Sequence, residues 1–242
     1  MKALILAGGR GKRLDDLAVT LNKCMIHVNG RPVIEYNLDY VANTNIEEIV
    51  IVVGYGAEEI INHLGIFYKN KKIKYVIQAE QKGLVHAIEC ARETIAGDDF
   101  MLLLGDEVLI NPRHNAMIEE YKKSEVFAIC GVLQVYNQES IKRTYAIIQN
   151  DDRIIYRLVE KPRTPLNNYQ GTGCCIFKNR IYDYIDFTPI HHERKEKELP
   201  DLIQCAVDDG MIVKSFIICD KYSNINTKED IAMAENYLIE IE

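Results

Sequence analysis

The chain has 242 residues, 48% of them apolar, and carries a formal net charge of −7 from 36 acidic and 29 basic side chains. This length and apolar content suffice for a full-sized α/β core. The acidic balance argues against nucleic acid as a partner. No apolar run approaches the roughly 20 residues that cross a bilayer, and the opening run ALILA is too short for a signal peptide. We therefore expect a cytoplasmic protein without a membrane partner.

The seven cysteines are odd in number, scattered and without a C-x-x-C pair. This pattern predicts free thiols, buried in the core, and a reducing compartment. The scattered cysteines also argue against a zinc site. His191 and His192 offer no alternative, because they fall in the charged run HHERKEKE, which is typical of a solvated surface.

In chain order, the first half alternates short apolar runs with helical patterns. The runs KALILAG, EEIVIVVGYG and DDFMLLLGDE are typical of parallel strands that are covered on both faces. KIKYVIQ and VFAICGV fit as further strands, and helices are expected at 32–43, 57–64, 85–95 and 114–123. This order predicts a Rossmann-like, doubly wound α/β sheet.

After about residue 131 the pattern changes. TYAIIQ and RIIYRLVEK, separated by NDD, predict a hairpin, and GCCIF and VKSFIIC predict two more strands. Helices are expected at 179–185 and 199–208, and KEDIAMAENYLIEI is an amphipathic closing helix. Without a linker or repeat, we expect one domain over 1–242 with a mixed sheet.

Charged residues follow the buried strands, in AGGRGKR and in LGDE. Ligands of open α/β sheets bind at the carboxyl ends of strands, so Asp106 and the cationic loop should share one crevice. The loop is neither of two familiar phosphate loops: Leu14 stands where the dinucleotide motif needs glycine, and Arg13 follows Gly11-Lys12 where a Walker loop needs Ser or Thr. Its amides and cations still suit a phosphate, although a sharp surface turn is the alternative.

The chain resembles the nucleotidylyltransferases that join an NTP to a sugar 1-phosphate. The resemblance runs in the right order from Lys2 to about Glu235 and rests on LILAGGRGKRL, NKCMIHVNGRPVIEY, QAEQKGLVHAI, LLLGDE, TYAIIQNDDRIIYRLVEKP, GTGCCIF, ELPDLI and NINTKEDIAMAE. It implies the nucleotide-diphospho-sugar transferase (glycosyltransferase A-type) fold, with an NTP-binding half at 1–131 and an acceptor-binding half at 132–242.

The resemblance also implies roles for individual residues. Arg13 would contact the leaving pyrophosphate, Lys23 the α-phosphate region and Lys161 the incoming phosphate, while Asp106 would hold Mg²⁺. The implied nucleotide-binding set is Leu6, Ala7, Gly8, Gly9, Gly11, Lys12, Arg13, Lys23, Gln78, Gly83 and Asp106. The implied acceptor-binding set is Tyr145, Ala146, Glu160, Lys161 and Gly173.

Several positions depart from the family pattern. Lys12 replaces a threonine, Asn22 and Cys24 replace prolines, and Glu107 stands where asparagine is common. Ala146 replaces a glycine whose amide contacts the sugar. Near the C-terminus only Asn224 and Asn226 are offered as second metal ligands, and this segment also fits a helix cap at Thr227 with Asp230.

The implied reaction needs no general base, because a phosphate monoester is already an oxyanion near neutral pH. Alignment and charge stabilisation by cations and Mg²⁺ suffice. A cytidylyltransferase acting on a phosphocholine-like or polyol phosphate remains an alternative, as does a non-catalytic nucleotide sensor. A glycosyltransferase of related fold would normally show Asp-x-Asp, which GDEV is not. The sequence does not identify the acceptor or the oligomeric state, and a homo-oligomer is compatible with it.

Gln78 is the candidate reader of the base. Its carboxamide has one acceptor and one donor group, enough to pair with the edge of a single-ring base. Because the amide can be flipped, uracil, thymine and cytosine are all compatible. We therefore expect UTP, dTTP or CTP to be preferred over purine nucleotides.

Overall fold

The structure, a computed structural model, describes residues 1–9 and 22–240. Within these residues the strands are β1 (Lys2–Ala7), β2 (His27–Val28), β3 (Arg31–Pro32), β4 (Glu48–Val53), β5 (Phe67–Tyr68), β6 (Lys71–Ile77), β7 (Phe100–Leu104), β8 (Glu107–Ile110), β9 (Ala128–Gln134), β10 (Tyr145–Gln149), β11 (Ile155–Glu160), β12 (Tyr169–Phe177), β13 (Val213–Ile217) and β14 (Lys221–Asn224). The α-helices are α1 (Val33–Ala42), α2 (Ala57–Leu64), α3 (Leu84–Cys90), α4 (Arg92–Ile95), α5 (His114–Lys123), α6 (Leu199–Asp208) and α7 (Lys228–Ile239).

Ten of these strands form one mixed sheet. β1 lies at its centre, parallel to β4 on one side and to β7 on the other, and β6 continues the parallel part beyond β4. The long strand β12 runs antiparallel to β7, β9 and β10, and β11 extends the sheet beyond β10 as the predicted hairpin. The expected mixed, doubly wound α/β sheet is therefore confirmed.

The core lies on both faces of this sheet. Along β1, Ala3 and Ile5 pack into one cluster with α1 and α5, whereas Leu4 packs into the other with α3 and α6. All three side chains are 0% exposed. Since neighbouring residues of a strand point to opposite faces, a strand that is covered on both sides must be apolar throughout. That is why KALILA reads as a continuous apolar run.

Most predicted elements are present. α2, α5 and α6 have the predicted bounds, and residue 131 lies inside β9, which pairs with β12 and β13. The pattern expected as one helix at 85–95 is two helices, α3 and α4, and 179–185 is a 3-10 helix at Asn179–Tyr184. The antiparallel ribbon of β8 and β14 was not predicted, and it positions part of the site.

The seven cysteines are free thiols, five of them buried. No helix in the described ranges is long and apolar enough to cross a membrane. Three of the predicted nucleotide-binding residues, Gly11, Lys12 and Arg13, lie outside the residues that the structure describes.

Candidate active site

The carboxyl ends of β1 and β4 are joined by Asn22. Its Nδ2 donates to the carbonyl oxygens of Ala7 (2.8 Å) and Tyr55 (2.6 Å), and its Oδ1 accepts from the backbone N–H of Cys24 (2.8 Å). The last bond caps the 3-10 helix Lys23–Met25. In the sequence Asn22 was noted only as a departure from a proline. In the structure it fixes the backbone at the start of the 3-10 helix, and so the position of Lys23. The last two residues of β1 are Leu6 and Ala7, and Gly8 and Gly9 follow the strand.

Four side chains, which we call the Lys23 cluster, meet beyond the ends of β1 and β7: Lys23, Asp106, Asn224 and Asn226. The Lys23 Nζ contacts a carboxylate oxygen of Asp106, and lies 2.9 Å from the Asn226 Oδ1 and 3.3 Å from the Asn224 Oδ1. Side-chain exposure is 11% for Lys23 and 19% for Asp106. One cation thus has three oxygen ligands from segments that are far apart in sequence.

The helix-cap interpretation of the asparagine segment is also confirmed. The Thr227 hydroxyl accepts from the backbone N–H of Asp230, and the Asp230 carboxylate accepts from the backbone N–H groups of Thr227 (2.9 Å) and Asn226 (3.0 Å). The cap fixes the backbone at the start of α7. Because β14 pairs with β8, Asn224 is held opposite Glu107. The segment between β14 and α7 therefore both caps the helix and positions the two asparagines of the site.

The carboxylate of Glu107 enters the sheet. It is 2% exposed, and its oxygens accept from the backbone N–H of Gly173 (3.0 and 3.1 Å) and from the Tyr222 hydroxyl (2.6 Å). We call Glu107, Gly173 and Tyr222 the Glu107 cluster. Burial raises the pKa of Glu107 to about 8, against the opposing effect of the hydrogen bonds from Tyr222 and Gly173. Sequence reasoning noted Glu107 only as a departure from asparagine.

A side chain at position 173 would displace Leu104. A Cβ there would lie 2.2 Å from the Leu104 Cγ and 3.0 Å from the Glu107 Oε1. The close approach lets the backbone of β12 reach the Glu107 carboxylate. Gly173 was predicted to contact the acceptor, and its N–H is directed to Glu107.

A cavity of about 170 Å³ lies next to both clusters. Its lining includes Leu84, Leu104, Glu107, Arg143, Tyr145, Glu160, Lys161, Gly173, Glu198, Tyr222 and Asn224. Four of the five residues predicted to bind the acceptor are therefore brought to one cavity. Asn224 belongs to this lining and to the Lys23 cluster, so the two predicted binding regions meet at its side chain.

Glu160 and Lys161 form an ion pair at this cavity, with 2.9 Å between Nζ and Oε1. Burial raises the pKa of Glu160, and the contact with Lys161 opposes that rise. Lys161 has a positive φ of 45°, and its backbone N–H donates to the Thr144 carbonyl at 2.6 Å. The strained backbone turns the chain out of β11 and leaves the Lys161 side chain 37% exposed at the cavity.

Tyr145 and Ala146 are held within the sheet. The Tyr145 ring covers Gly171, where a Cβ would lie 2.1 Å from it, and the Tyr145 hydroxyl donates to the Thr172 carbonyl at 3.1 Å. Ala146 is buried and pairs with Val159 in β11. Tyr145 thus forms a wall of the cavity through its packed ring.

Gln78 and Gly83, predicted to read the base, are in contact. Gln78 follows β6, is 4% exposed, and donates from Nε2 to the Gly83 carbonyl at 3.1 Å. Gly83 has φ +93°, and a Cβ on it would lie 2.8 Å from the Glu196 Cβ, so only glycine fits there. Gln78 also contacts His86, which the sequence did not single out.

Among the described residues, no three His, Cys, Asp or Glu side chains cluster as metal ligands. The predicted metal ligands are instead one carboxylate and two amide oxygens, all directed at the Lys23 ammonium. Carboxylate and carbonyl oxygens are the ligands that hard divalent cations such as Mg²⁺ take in proteins. The ammonium shows that the three oxygens favour a positive charge at their centre, so they fit such an ion if Lys23 moves away.

Comparison with known proteins gives a consistent result. A family model described as "Nucleotidyl transferase" matches residues 2–239. The chain is 31% identical to the UTP--glucose-1-phosphate uridylyltransferase AglF of Haloferax volcanii, over 99% of this chain and 97% of AglF. It is 30% identical to the low-salt glycan biosynthesis nucleotidyltransferase Agl11 of the same organism, of which it spans only 66%.

The fold also matches a solved structure. A UDP-glucose pyrophosphorylase complexed with UDP-glucose superposes with a TM-score of 0.88, covering 100% of this chain and 99% of that one, at 21% identity. At this identity the likeness concerns the fold alone.

Proposed function

This chain belongs to the nucleotidyl transferase family, and we propose that it joins an NTP to a sugar 1-phosphate, giving an NDP-sugar and pyrophosphate. The relative AglF, whose name states this type of reaction, aligns over nearly its whole length. The observation that carries the proposal for this chain is that the Lys23 cluster and the cavity lined by Lys161 meet at Asn224. This arrangement places the ammonium groups of Lys23 and Lys161 on two sides of the Asn224 side chain.

In this reaction an oxygen of the sugar phosphate attacks the α-phosphorus. The bond from that phosphorus to the bridging oxygen of the β-phosphate breaks, and pyrophosphate leaves with the electron pair. Because the attacking oxygen is already anionic, the protein needs to supply alignment and positive charge, and no base. Lys161 would hold the incoming phosphate on the cavity side, and Lys23 would contact the α-phosphate from the other.

We propose Mg²⁺ as the metal, held by Asp106 together with Asn224 or Asn226. When bound there, the ion would neutralise charge on the phosphates of the NTP. Lys23 would then release the three oxygens and turn its ammonium to the α-phosphate. The two cations would thus share the charge of the triphosphate, a role for which a long, flexible lysine side chain is suited.

Gly8 to Arg13 would cradle the triphosphate, with Arg13 on the leaving pyrophosphate, and Gln78 with Gly83 would bind a pyrimidine base. Glu160 would accept hydrogen bonds from hydroxyl groups of the acceptor. The NTP would occupy the half at 1–131 and the acceptor the half at 132–242. A cytoplasmic location is supported by the free cysteines.

The test is a pyrophosphate-release screen that crosses UTP, dTTP, CTP, ATP and GTP with phosphorylated acceptors. The panel contains glucose 1-phosphate and other sugar 1-phosphates, together with phosphocholine and a polyol phosphate. We expect release with a pyrimidine NTP and a sugar 1-phosphate, lost with EDTA and restored by Mg²⁺. Release with phosphocholine or a polyol phosphate alone would contradict the acceptor, and EDTA-resistant release would contradict the metal.

A further inference from the structure

The orientation of the Gln78 side chain is fixed by the chemistry of its neighbours. One end of its carboxamide lies 3.1 Å from the carbonyl oxygen of Gly83. A carbonyl oxygen can only accept, so the group that faces it must be the amide nitrogen. Gln78 therefore turns its NH₂ group towards the start of α3.

His86 uses the second hydrogen of that NH₂ group. Its Nδ1 lies 3.0 Å from the Gln78 Nε2. Since the amide nitrogen donates, Nδ1 has to accept, which places the ring proton of neutral His86 on Nε2. That nitrogen lies 3.8 Å from the Cys90 Sγ, one helical turn further along. Both donors of Gln78 are thus engaged within the protein.

The carbonyl end of the Gln78 side chain faces the end of β1. A Cβ on Gly8 would lie 2.7 Å from the Gln78 Oε1. Gly8 is the first glycine of the proposed phosphate loop, and the absence of a side chain there makes room for this oxygen. The group directed towards the proposed nucleotide site is therefore an acceptor.

We propose that His86 is a positioning residue that locks the Gln78 amide, so that the base site demands an N–H donor from the nucleotide. This inference rests on the proposed function. It removes the freedom that the sequence left open, because a locked amide cannot be flipped to suit either kind of pyrimidine. The preference for one base then depends on the contact between Gln78, which follows β6, and His86 in α3.

The locked oxygen favours uracil and thymine. Both carry the N3–H donor at the centre of the base edge, where cytosine carries an unprotonated N3 that only accepts. In the same pose, cytosine would set a lone pair against the Gln78 oxygen. A flipped amide could donate to cytosine N3, but it would then face the Gly83 carbonyl and the His86 Nδ1 with its oxygen. We expect UTP or dTTP to be preferred over CTP.

The experiment compares the variants His86→Leu and His86→Asn. Leucine removes the acceptor, whereas the Asn Oδ1 can take the place of Nδ1 and accept from Gln78. For each protein, kcat/KM is measured for UTP and CTP with one acceptor, and Kd is measured for both nucleotides by calorimetry without acceptor. Loss of one neutral hydrogen bond predicts that the UTP to CTP ratio falls about fivefold in His86→Leu. His86→Asn should restore most of it, and Cys90→Ala, which removes the sulfur near Nε2 and keeps the Nδ1 acceptor, should leave the ratio unchanged.

Imidazole ¹⁵N spectra of the wild-type protein test the lock without turnover. The signal that is lost in His86→Asn should show the Nε2–H tautomer. A protonated Nδ1, or a ratio that is unchanged in His86→Leu, would overturn the inference. If UTP binds more tightly than CTP and His86→Leu removes the difference, but no NTP is turned over, the proposed function fails and the lock stands. Absence of any nucleotide binding would overturn both.

Discussion

Asp106 and Glu107 are neighbours in the sequence, but their carboxylates belong to two clusters of different character. In the Lys23 cluster, the Asp106 carboxylate meets an ammonium on a flexible side chain, at the end of β7 and partly in solvent. In the Glu107 cluster, the carboxylate is sealed in the sheet and meets the backbone of β12 and the Tyr222 hydroxyl of β14.

The two carboxyl groups differ in whether their partners can be replaced while the fold stays intact. The partner of Asp106 is the end of a long lysine side chain that takes no part in the sheet, so a metal ion can replace its ammonium without disturbing the strands. The partners of Glu107 are parts of the sheet itself, so its contacts persist as long as the fold does. We infer that the first cluster serves the reaction and the second holds β8, β12 and β14 in register beside the cavity.

The largest effect is expected at Asp106. Asp106→Asn keeps an oxygen for Lys23 and removes the charge that would hold Mg²⁺, so kcat should fall roughly 10³-fold. The melting temperature should stay within about 3 °C of wild type. Asp98→Asn, at the opposite end of β7, is the control and should retain full activity. Near-wild-type turnover of Asp106→Asn with Mg²⁺ would end the metal assignment.

Glu107, in contrast to Asp106, should affect the stability of the fold and its dependence on pH. Its pKa rises from 4.5 to about 8 on folding, so between these values the folded chain holds a proton that the unfolded chain has lost. Raising the pH from 5 to 8 should therefore lower the free energy of unfolding, by on the order of 3 kcal/mol from this group.

Glu107→Gln mimics the protonated form and should lose this dependence, so the variant is more stable than wild type at pH 8 and similar at pH 5. Urea unfolding at both pH values measures the difference. Glu119→Gln, which changes an exposed glutamate of α5, should follow the wild-type profile. Equal pH profiles for Glu107→Gln and wild type would show that Glu107 is charged in the folded protein.

Lys23 tests whether the first cluster is an exchangeable cation site. Lys23→Met removes the ammonium that occupies the three oxygens, so Mn²⁺ should bind without nucleotide at least about tenfold more tightly than to wild type. Electron paramagnetic resonance of free Mn²⁺ measures this, with Lys161→Met as the matched control. An unchanged Mn²⁺ affinity would mean that Lys23 and the metal do not compete for these oxygens.

The sequence singled out each member of the Lys23 cluster, but it did not predict that the Lys23 ammonium would lie among the predicted metal ligands. Strand ends in a parallel sheet converge, so Asp106 could be placed in the crevice from LLLGDE alone. The direction of the Lys23 side chain depends on Asn22, whose two carbonyl partners are brought together only by the pairing of β1 and β4. The four-residue strands β8 and β14 have too few residues for a period to be recognised, and the ribbon therefore escaped prediction.

The Glu107 cluster was beyond sequence reasoning for a related reason. Glu107 can be buried because Gly173 and Tyr222, distant in the chain, donate hydrogen bonds to its carboxyl group. Nothing local distinguishes it from an exposed strand residue. The Gln78 amide was likewise left free to flip, since its orientation depends on a histidine eight residues further on.

Lys161 provides the smallest and most selective test, on the cavity side of the comparison. Lys161 is 37% exposed, but Glu160 is only 12% exposed and loses its partner in Lys161→Ala, so the melting temperature of the variant is measured beside its kinetics. If Lys161 holds the incoming phosphate, the acceptor KM should rise about tenfold while the KM of the NTP changes less than about twofold. Initial rates with each substrate varied in turn separate the two constants. Lys161→Arg should recover part of the loss, because a guanidinium also binds phosphate, and Lys142→Ala, at an exposed ion pair with Glu139, should change neither constant. A rise in the KM of the NTP with an unchanged acceptor KM would move Lys161 to the nucleotide side and leave the cavity without its cation.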